Sequence, residues 1–168
     1  LTGDSNPNYR VPCIVHYASE SSISYWFFFG YDHAKALAST LSFSHQGDWE
    51  CVTVNLDEEG RIVSASLSCH TGANNHPASE LEIVHGKKDE LTVYCAKGSH
   101  AFYNKPGTYN LFKLFGLKIA DDHADNMGYD WVATNCVVSL TDNSQVWKYF
   151  AGAWGEVGEH AATTGPLG

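Results

Sequence analysis

Short runs of β-branched and aromatic residues, separated by stretches rich in turn-forming residues, recur along most of this chain. Runs of this kind are typical of β-strands, because branched and aromatic side chains pack well on a pleated sheet. The pattern predicts strands over residues 11–18, 23–29, 51–56, 63–69 and 91–96, with further strands at 132–140 and 146–151.

Alternation of apolar and polar residues is clearest in the range 63–69, where Val63, Ala65, Leu67 and Cys69 are separated by serines. Successive side chains of a strand point to opposite faces, so this pattern predicts one buried and one solvated face. The preceding segment 57–60 (DEEG) combines acidic residues with a glycine. We expect it to form the turn of a β-hairpin.

Helical signals are sparse. The best candidate is the range 32–41 (DHAKALASTL), since Asp32 can cap a helix and Ala and Leu favour one; residues 110–119 are a weaker second candidate. The predicted fold is therefore mainly β, an antiparallel β-sandwich with one or two short helices. We expect residues 1–168 to form a single domain whose glycine-rich C-terminal end, from about residue 156, is loosely held.

Composition narrows the class of partner. The chain has 168 residues, of which 43% are apolar and 17% charged, as one domain with a substantial core requires. The chain has ten Lys and Arg and nineteen Asp and Glu, which gives a net charge of −9. This charge argues against duplex nucleic acid as a partner. Anionic lipid headgroups are equally poor partners unless a cation bridges them. The longest apolar stretch, 25–30, falls far short of the roughly 20 residues of a membrane-spanning helix.

The ends of the chain and its cysteines bear on processing and redox state. The chain starts at Leu1 and its sole methionine is Met127, so we expect a processed product or a segment of a longer protein. Five scattered cysteines show no CxxC pair and no zinc-finger spacing. We expect buried free thiols, with one or two disulfides as the alternative, and the compartment stays undecided.

The segment His45-Gln46-Gly47-Asp48-Trp49-Glu50 carries the strongest chemical signal. Asp48 and Glu50 are two positions apart at the start of a strand, so both point to the face that Val52 and Val54 bury. A buried ionised carboxylate without compensation costs several kcal/mol, so the site needs a cation, hydrogen-bond donors or a raised carboxyl pKa. Because the chain has only two arginines, a metal ion is the simplest compensation.

His45 can turn back through Gly47 toward the same point, and Asp32 at the end of the aromatic strand is a candidate fourth ligand. One imidazole with carboxylates favours Mg²⁺ or Ca²⁺ over Mn²⁺ or Zn²⁺. The alternative interpretation is that Asp48 and Glu50 cap turns or accept backbone N–H groups.

Further candidates lie elsewhere in the chain. Gly98 follows a predicted strand and presents Ser99 and His100 at its end, and His70 ends the serine-alternating strand; these three are candidate catalytic residues, with structural packing as the alternative. The segment 121–128 crowds acidic residues but fails the spacing of an EF-hand loop. Asp122 or Asp125 is expected either to close over the first site as a ligand-binding residue or to lie in a solvated loop.

Four blocks of sequence together resemble the vacuolar-protein-sorting-associated sixty-two family, over about residues 11–155: SYWFFFGYD, HQGDWECVTVNLD, VYCAKGSHAFYNKPGTY and FAGAWGE. More distantly, the chain is similar to the necrosis-inducing, cytolysin-type proteins, whose hallmark is the heptapeptide GHRHDWE. Here that stretch reads SHQGDWE, with Gly47 in place of the second histidine.

The resemblance to cytolysin-type proteins implies a β-sandwich similar to sea-anemone cytolysins and fungal lectins. It further implies a divalent cation held by His45, Asp48 and Glu50, with Asp32 as a less secure fourth ligand, and it favours secretion. The resemblance to the vacuolar-protein-sorting-associated sixty-two family implies a fold and a site but no defined activity.

Two function classes follow. The first is a metal-binding recognition or toxin-like module, expected to be a monomer, in which the cation binds a glycan or a lipid headgroup and Trp49 stacks on a sugar or contacts a membrane peripherally. The alternative is a metal-dependent phosphoester hydrolase acting on a small-molecule substrate, with His100 or His70 as acid or base. A trafficking or structural module with a vestigial cation is a third possibility.

Overall fold

The computed structural model describes residues 12–33, 44–70, 72–114, 117–128, 130–141, 145–160 and 163–167. Within them the protein is mainly β, as the sequence pattern predicts. The strands are β1 Cys13–Ser19, β2 Ser22–Asp32, β3 His45–Leu56, β4 Ile62–Cys69, β5 Gly72–Pro77, β6 Glu82–Val84, β7 Glu90–Thr92, β8 Tyr94–Cys95, β9 Phe102–Tyr103, β10 Gly107–Leu114, β11 Leu117–Ala124 and β12 Val137–Ser139.

A six-stranded sheet with the strand order β12-β1-β2-β3-β4-β5 forms the main layer. All neighbours in it are antiparallel except β1 and β12, which pair in parallel. The two longest strands, β2 and β3, stay paired from Ser22 opposite Asn55 to Asp32 opposite His45. This register brings an aspartate and a histidine together at one end of the sheet.

The inner face of this sheet is the hydrophobic core. Val52 and Val54 of β3 lie opposite Leu67 and Ala65 of β4, and all four side chains are buried. Alternation continues to the end of β4, but a register shift next to Leu56 pairs that residue with Ile62. The shift buries Ile62 and leaves Val63 45% exposed, so the predicted inward orientation of Val63 is wrong.

Small two-stranded ribbons form the second layer, which makes the fold sandwich-like. Phe102 of β9 is buried against Phe27 of β2, with ring centroids 5.1 Å apart in an edge-to-face arrangement. Partly buried side chains from β6, β7 and their flanks complete the cover of the core. Apolar area removed from water on both layers is the main stabilising term.

The predicted hairpin turn is confirmed. Asp57 Oδ1 accepts hydrogen bonds from the backbone N–H groups of Glu59 and Arg61, at 3.1 and 2.7 Å. Gly60 adopts φ +77°, a conformation that a residue without a Cβ reaches at little cost. The turn thereby fixes how β4 pairs with β3.

Several sequence predictions about elements are wrong. Within the predicted helix 110–119, residues 110–114 and 117–119 form strands instead, because backbone pairing between β10 and β11 is more stable than a short isolated helix. Range 146–151 is not a strand: Val146–Tyr149 forms a 3₁₀ turn closed by the Phe150 N–H bond to the Trp147 carbonyl. Range 132–140 shrinks to β12, preceded by the 3₁₀ turn Ala133–Asn135.

The described residues contain no α-helix, only short 3₁₀ turns. Of the predicted helix 32–41, Asp32 ends β2, and residues 34–43 lie outside the described residues. In the described part of the chain, no helical segment has the length and hydropathy needed to cross a membrane. All five cysteines are free thiols, as expected, but only Cys13 is buried; three are partly exposed and Cys95 is exposed.

Candidate functional site

One end of the main sheet gathers carboxylates and imidazoles from five parts of the chain. They come from strands β2, β3 and β11, from the residue after β4, and from the turn between β8 and β9. We call this set the acidic site, and its members are Asp32 of β2, His45, Asp48 and Glu50 of β3, His70 after β4, His100 of the turn, and Asp122 of β11.

Strand parity buries the two carboxylates of β3. Asp48 and Glu50 are 9% and 5% exposed and lie on the same face as buried Val52, as the alternation predicts. Gly47, just before them, has φ +73°, and its α-carbon lies against the Trp154 carbonyl. Only a residue without a side chain fits there without strain.

Asp32 and His45 face each other across the β2–β3 pair. His45 Nε2 is 3.3 Å from Asp32 Oδ2, and His45 Nδ1 donates to the Gly47 carbonyl at 2.7 Å. Since a carbonyl only accepts, this second bond fixes a proton on Nδ1 and aims Nε2 at the carboxylate. Asp32 Oδ1 is the one buried side-chain oxygen or nitrogen of the described residues without a hydrogen-bond partner.

Asp48 is paired with His100. His100 Nδ1 lies 3.1 Å from Asp48 Oδ2, and the imidazole stacks flat on Phe29, with centroids 4.1 Å apart and an angle of 1°. His100 has φ +60°, which costs free energy for a residue with a Cβ. The preceding Gly98, at φ +92°, makes the tight turn that presents the ring.

Glu50 is held by Ser68, whose hydroxyl donates to Glu50 Oε2. Ser68 Oγ also accepts the backbone N–H of Cys51 at 2.7 Å, where the ladder between β3 and β4 has ended. One side chain thus replaces a ladder hydrogen bond and orients a buried carboxylate.

Asp122 is the most fully bonded carboxylate of the set. It is 3% exposed and accepts hydrogen bonds from His70 Nε2 at 2.8 Å, Ser99 Oγ at 2.6 Å and Tyr103 Oη at 2.6 Å. His70 has φ +47°, the second left-handed histidine beside the site. Non-glycine residues in this conformation cluster at functional sites.

Ionisation differs sharply across the acidic site. Burial, only partly offset by the Ser68 hydrogen bond, raises the pKa of Glu50 to about 7. Burial and then the Asp48 charge raise the pKa of Asp32. Burial also acts to raise the pKa of Asp122, yet the bonds from His70, Ser99 and Tyr103 hold it below its ordinary value. The bond to Asp122 raises the pKa of His70.

The acidic site therefore has an uncompensated half. Asp122 is neutralised by His70 and two hydroxyls, whereas Asp32, Asp48 and Glu50 crowd negative charge into a buried region. Within the described residues, no three His, Cys, Asp or Glu side chains are arranged to hold a metal ion. The oxygen and imidazole donors suit a divalent cation chemically, and the lone Asp32 oxygen offers it a ligand.

In the described part of the chain, the side chains of three other predicted site residues form their hydrogen bonds, ion pairs and ring contacts with residues other than Asp32, Asp48 and Glu50. Asp125 forms an ion pair with Lys97 at 2.5 Å and accepts the Met127 N–H at 2.9 Å. Trp49 points to the opposite face of the sheet, where it packs on Phe28. Ser99 donates its hydroxyl proton to Asp122 rather than to an imidazole. The roles predicted for these residues stay predictions.

Three contributors to the acidic site escape sequence reasoning: Ser68, Phe29 and Tyr103. Ser68 belongs to the regular serine alternation of β4, which gives no sign that one serine differs from the others. Phe29 and Tyr103 lie in aromatic runs whose pattern indicates packing alone. For Ser68 the signal is the buried Glu50 on the adjacent strand, which needs a hydroxyl donor, and only the sheet register shows that the two residues are neighbours.

The sequence model of a known family, vacuolar protein sorting-associated protein 62, matches residues 17–157. The chain belongs to the vacuolar protein sorting-associated protein 62 family. No curated protein and no solved structure matches the chain significantly. The matched residues include every member of the acidic site. They also include the segment around Trp154 that packs against Gly47.

Proposed function

We propose that this protein is a recognition module that binds a divalent cation at the acidic site. Asp32 Oδ1 carries the proposal: it is a buried carboxylate oxygen with no hydrogen-bond partner among the described residues, beside a second carboxylate that disfavours its ionisation. Buried polar groups are normally satisfied, so an orphaned anion oxygen indicates a missing cationic or donor partner. A divalent cation supplies that partner.

Asp32, His45, Asp48 and Glu50 are the ligands that we assign to this cation. When bound, it supplies positive charge and open coordination positions, and Mg²⁺ or Ca²⁺ suits the oxygen-rich set better than Mn²⁺ or Zn²⁺. His45 now contacts Asp32, and Asp48 contacts His100. When the cation binds, His45 and Asp48 therefore give up these contacts and coordinate the cation instead. Because Asp32 and Glu50 must lose their protons to coordinate it, the affinity for the cation rises with pH.

The ligand class that we assign is a glycan or a lipid headgroup, bound through the cation. With a net charge of −9 and the carboxylates of this site, the protein repels anionic groups on its own. A bound cation reverses the local sign and coordinates hydroxyl, phosphate or carboxylate oxygens. The resemblance to cytolysin-type and lectin-like sandwiches supports this class.

The test is a thermal melt of the protein in EDTA, followed by titration with Mg²⁺, Ca²⁺, Mn²⁺ and Zn²⁺. An ion that binds only the folded state raises its stability by roughly 2.7 kcal/mol at a hundredfold excess over Kd. We expect such a rise with Mg²⁺ or Ca²⁺ in the wild-type protein. We expect none in the double variant Asp48→Asn with Glu50→Gln.

A matched control is the double variant Asp130→Asn with Glu90→Gln, which removes the same charges from exposed positions. It should respond to the ion as the wild-type protein does. An unchanged ion response in the Asp48/Glu50 variant would refute the site. If the ion binds as expected, retention on immobilised glycans and co-sedimentation with liposomes, each with and without EDTA, separates the two ligand classes.

A second candidate function, a metal-dependent phosphoester hydrolase, is favoured by one specific observation. His70 and His100 are each oriented by a carboxylate through one ring nitrogen, which leaves the other nitrogen for proton transfer. The test is turnover of p-nitrophenyl phosphate or its bis ester in the presence of Mg²⁺. Turnover that is lost in His70→Ala or His100→Ala but kept in the control His160→Ala supports catalysis. Absence of turnover with saturating ion would eliminate this candidate.

A further inference from the structure

Aromatic side chains line an open cleft formed by the C-terminal segment. Its volume is about 300 Å³ and its lining residues are Trp147, Phe150, Ala153 and Trp154. We call it the aromatic cleft. Nothing in the acidic site uses it, because the two lie on opposite faces of the main sheet.

Strand parity establishes this separation. Trp49 lies between Asp48 and Glu50 on β3, so its side chain points away from both carboxylates. Phe28 lies opposite Trp49 on β2, and the two rings pack with centroids 4.9 Å apart. This pair forms the floor on which the C-terminal segment rests, through the contacts of Trp154 with both rings.

The rings of the aromatic cleft are held at fixed, steep angles. Trp154 meets Phe150 at 67° and Trp147 at 76°, with centroids 4.9 and 6.2 Å apart. A backbone bond from Trp154 N–H to the Pro166 carbonyl, at 2.8 Å, anchors the central ring. Phe150 nevertheless stays 44% exposed, so the cleft presents ring faces to solvent.

The chemistry of the lining selects the occupant. Among the residues that the structure describes, no charged side chain lines the aromatic cleft, so an ion gains nothing from them. Trp147 Nε1 donates to Gln145 Oε1 at 2.7 Å, whereas the indole N–H of Trp154 makes no hydrogen bond among the described residues. Aromatic faces with a spare N–H donor suit an uncharged molecule that has both apolar C–H faces and hydroxyl oxygens.

We propose that the aromatic cleft binds a pyranose unit of a neutral glycan. A sugar ring stacks its C–H face on an indole and accepts hydrogen bonds through its hydroxyls. A lipid tail offers no acceptor to the Trp154 N–H. The site is independent of the proposed cation, since no member of the acidic site touches it.

Affinity gel electrophoresis of the full chain tests this, in gels that contain neutral β-glucan, xylan or mannan and in the presence of EDTA. We expect retardation by at least one polysaccharide, together with a change in tryptophan fluorescence. Phe150→Ala should weaken binding about tenfold, the size of one lost aromatic stacking contact.

Tyr149→Ala is the matched control, because Tyr149 is adjacent and 74% exposed but does not line the cleft. It should bind as the wild-type protein does, and unchanged melting curves will show that both variants fold. Three results would overturn the proposal. They are no retardation by any of the three polysaccharides, an equal loss of binding in both variants, and binding to phosphatidylcholine vesicles alone. Retardation that requires a divalent cation would assign the sugar to the acidic site instead.

Discussion

Asp122 accepts a hydrogen bond from His70 Nε2 at 2.8 Å, although 52 residues separate the two in sequence. The acceptor lies on β11 and the donor follows β4, so the bond joins a second-layer ribbon to the main sheet. Hydroxyls of Ser99 and Tyr103 bond the same carboxylate. Asp122 therefore fixes one imidazole of the acidic site and fastens the two layers together.

Asp122→Asn should destabilise the protein by about 2–4 kcal/mol. The amide loses the charge that stabilises protonated His70, and its NH₂ group faces three hydrogen-bond donors in a buried place. Urea unfolding at pH 7 measures the change. Asp130→Asn, at an exposed position, is the control and should lie within about 0.5 kcal/mol of wild type. Equal stability of the two variants would contradict the role given to Asp122.

Glu50→Gln should change how stability depends on pH in the metal-free protein. The pKa of Glu50 is about 7 in the folded state and 4.5 ordinarily, so the folded protein binds the extra proton. Its stabilising contribution is full below pH 4.5 and is lost as pH rises to 7. The glutamine variant cannot ionise, so its stability relative to wild type should rise by about 3 kcal/mol between pH 4.5 and pH 8.

Chemical unfolding in EDTA at a series of pH values measures this difference. Glu90→Gln makes the same change at an exposed strand position and should track the wild-type curve. Parallel curves for wild type and Glu50→Gln would mean that Glu50 ionises normally. A gain in stability together with lost ion binding would show that Glu50 is retained for binding rather than for folding.

Gly47→Ala should cost more than Gly60→Ala. Both glycines have similar positive φ, +73° and +77°, so each substitution adds about 1 kcal/mol of backbone strain. A Cβ at Gly47 also overlaps the Trp154 carbonyl, whereas nothing lies within 4 Å of one at Gly60. We expect an additional loss of about 1–3 kcal/mol at Gly47, measured by urea unfolding. Equal losses would show that the Trp154 segment yields freely.

Ser68→Ala should raise the pKa of Glu50 above its value of about 7, because the donor that favours the ionised form is removed. The Cys51 N–H also loses its acceptor, at a cost of about 1–3 kcal/mol. Carbon-13 NMR titration of the Glu50 carboxyl and urea unfolding measure the two effects. Ser66→Ala on the same strand should change neither appreciably, and a pKa shift in that variant too would argue against a specific bond.

Much of the local architecture was predictable from the sequence. Alternating side chains identified β4, the DEEG segment identified the hairpin turn, and parity placed Asp48 and Glu50 on the buried face of β3. Each of these features depends on neighbours within a few residues, where the pleat and the turn chemistry act directly. The weak helical signal over 110–119 gave a wrong prediction for 110–114 and 117–119, because long-range strand pairing overrides a weak helical preference.

The sequence by itself determined a mainly β chain with buried carboxylates in need of partners. Only the tertiary structure decided which partners they find: His100 for Asp48, Ser68 for Glu50, and His70 for Asp122. Those pairings depend on sheet register and on how the ribbons dock, which are set by the sum of many weak apolar contacts. No short stretch of sequence encodes that sum, because each contact gains its value only when the whole core has closed.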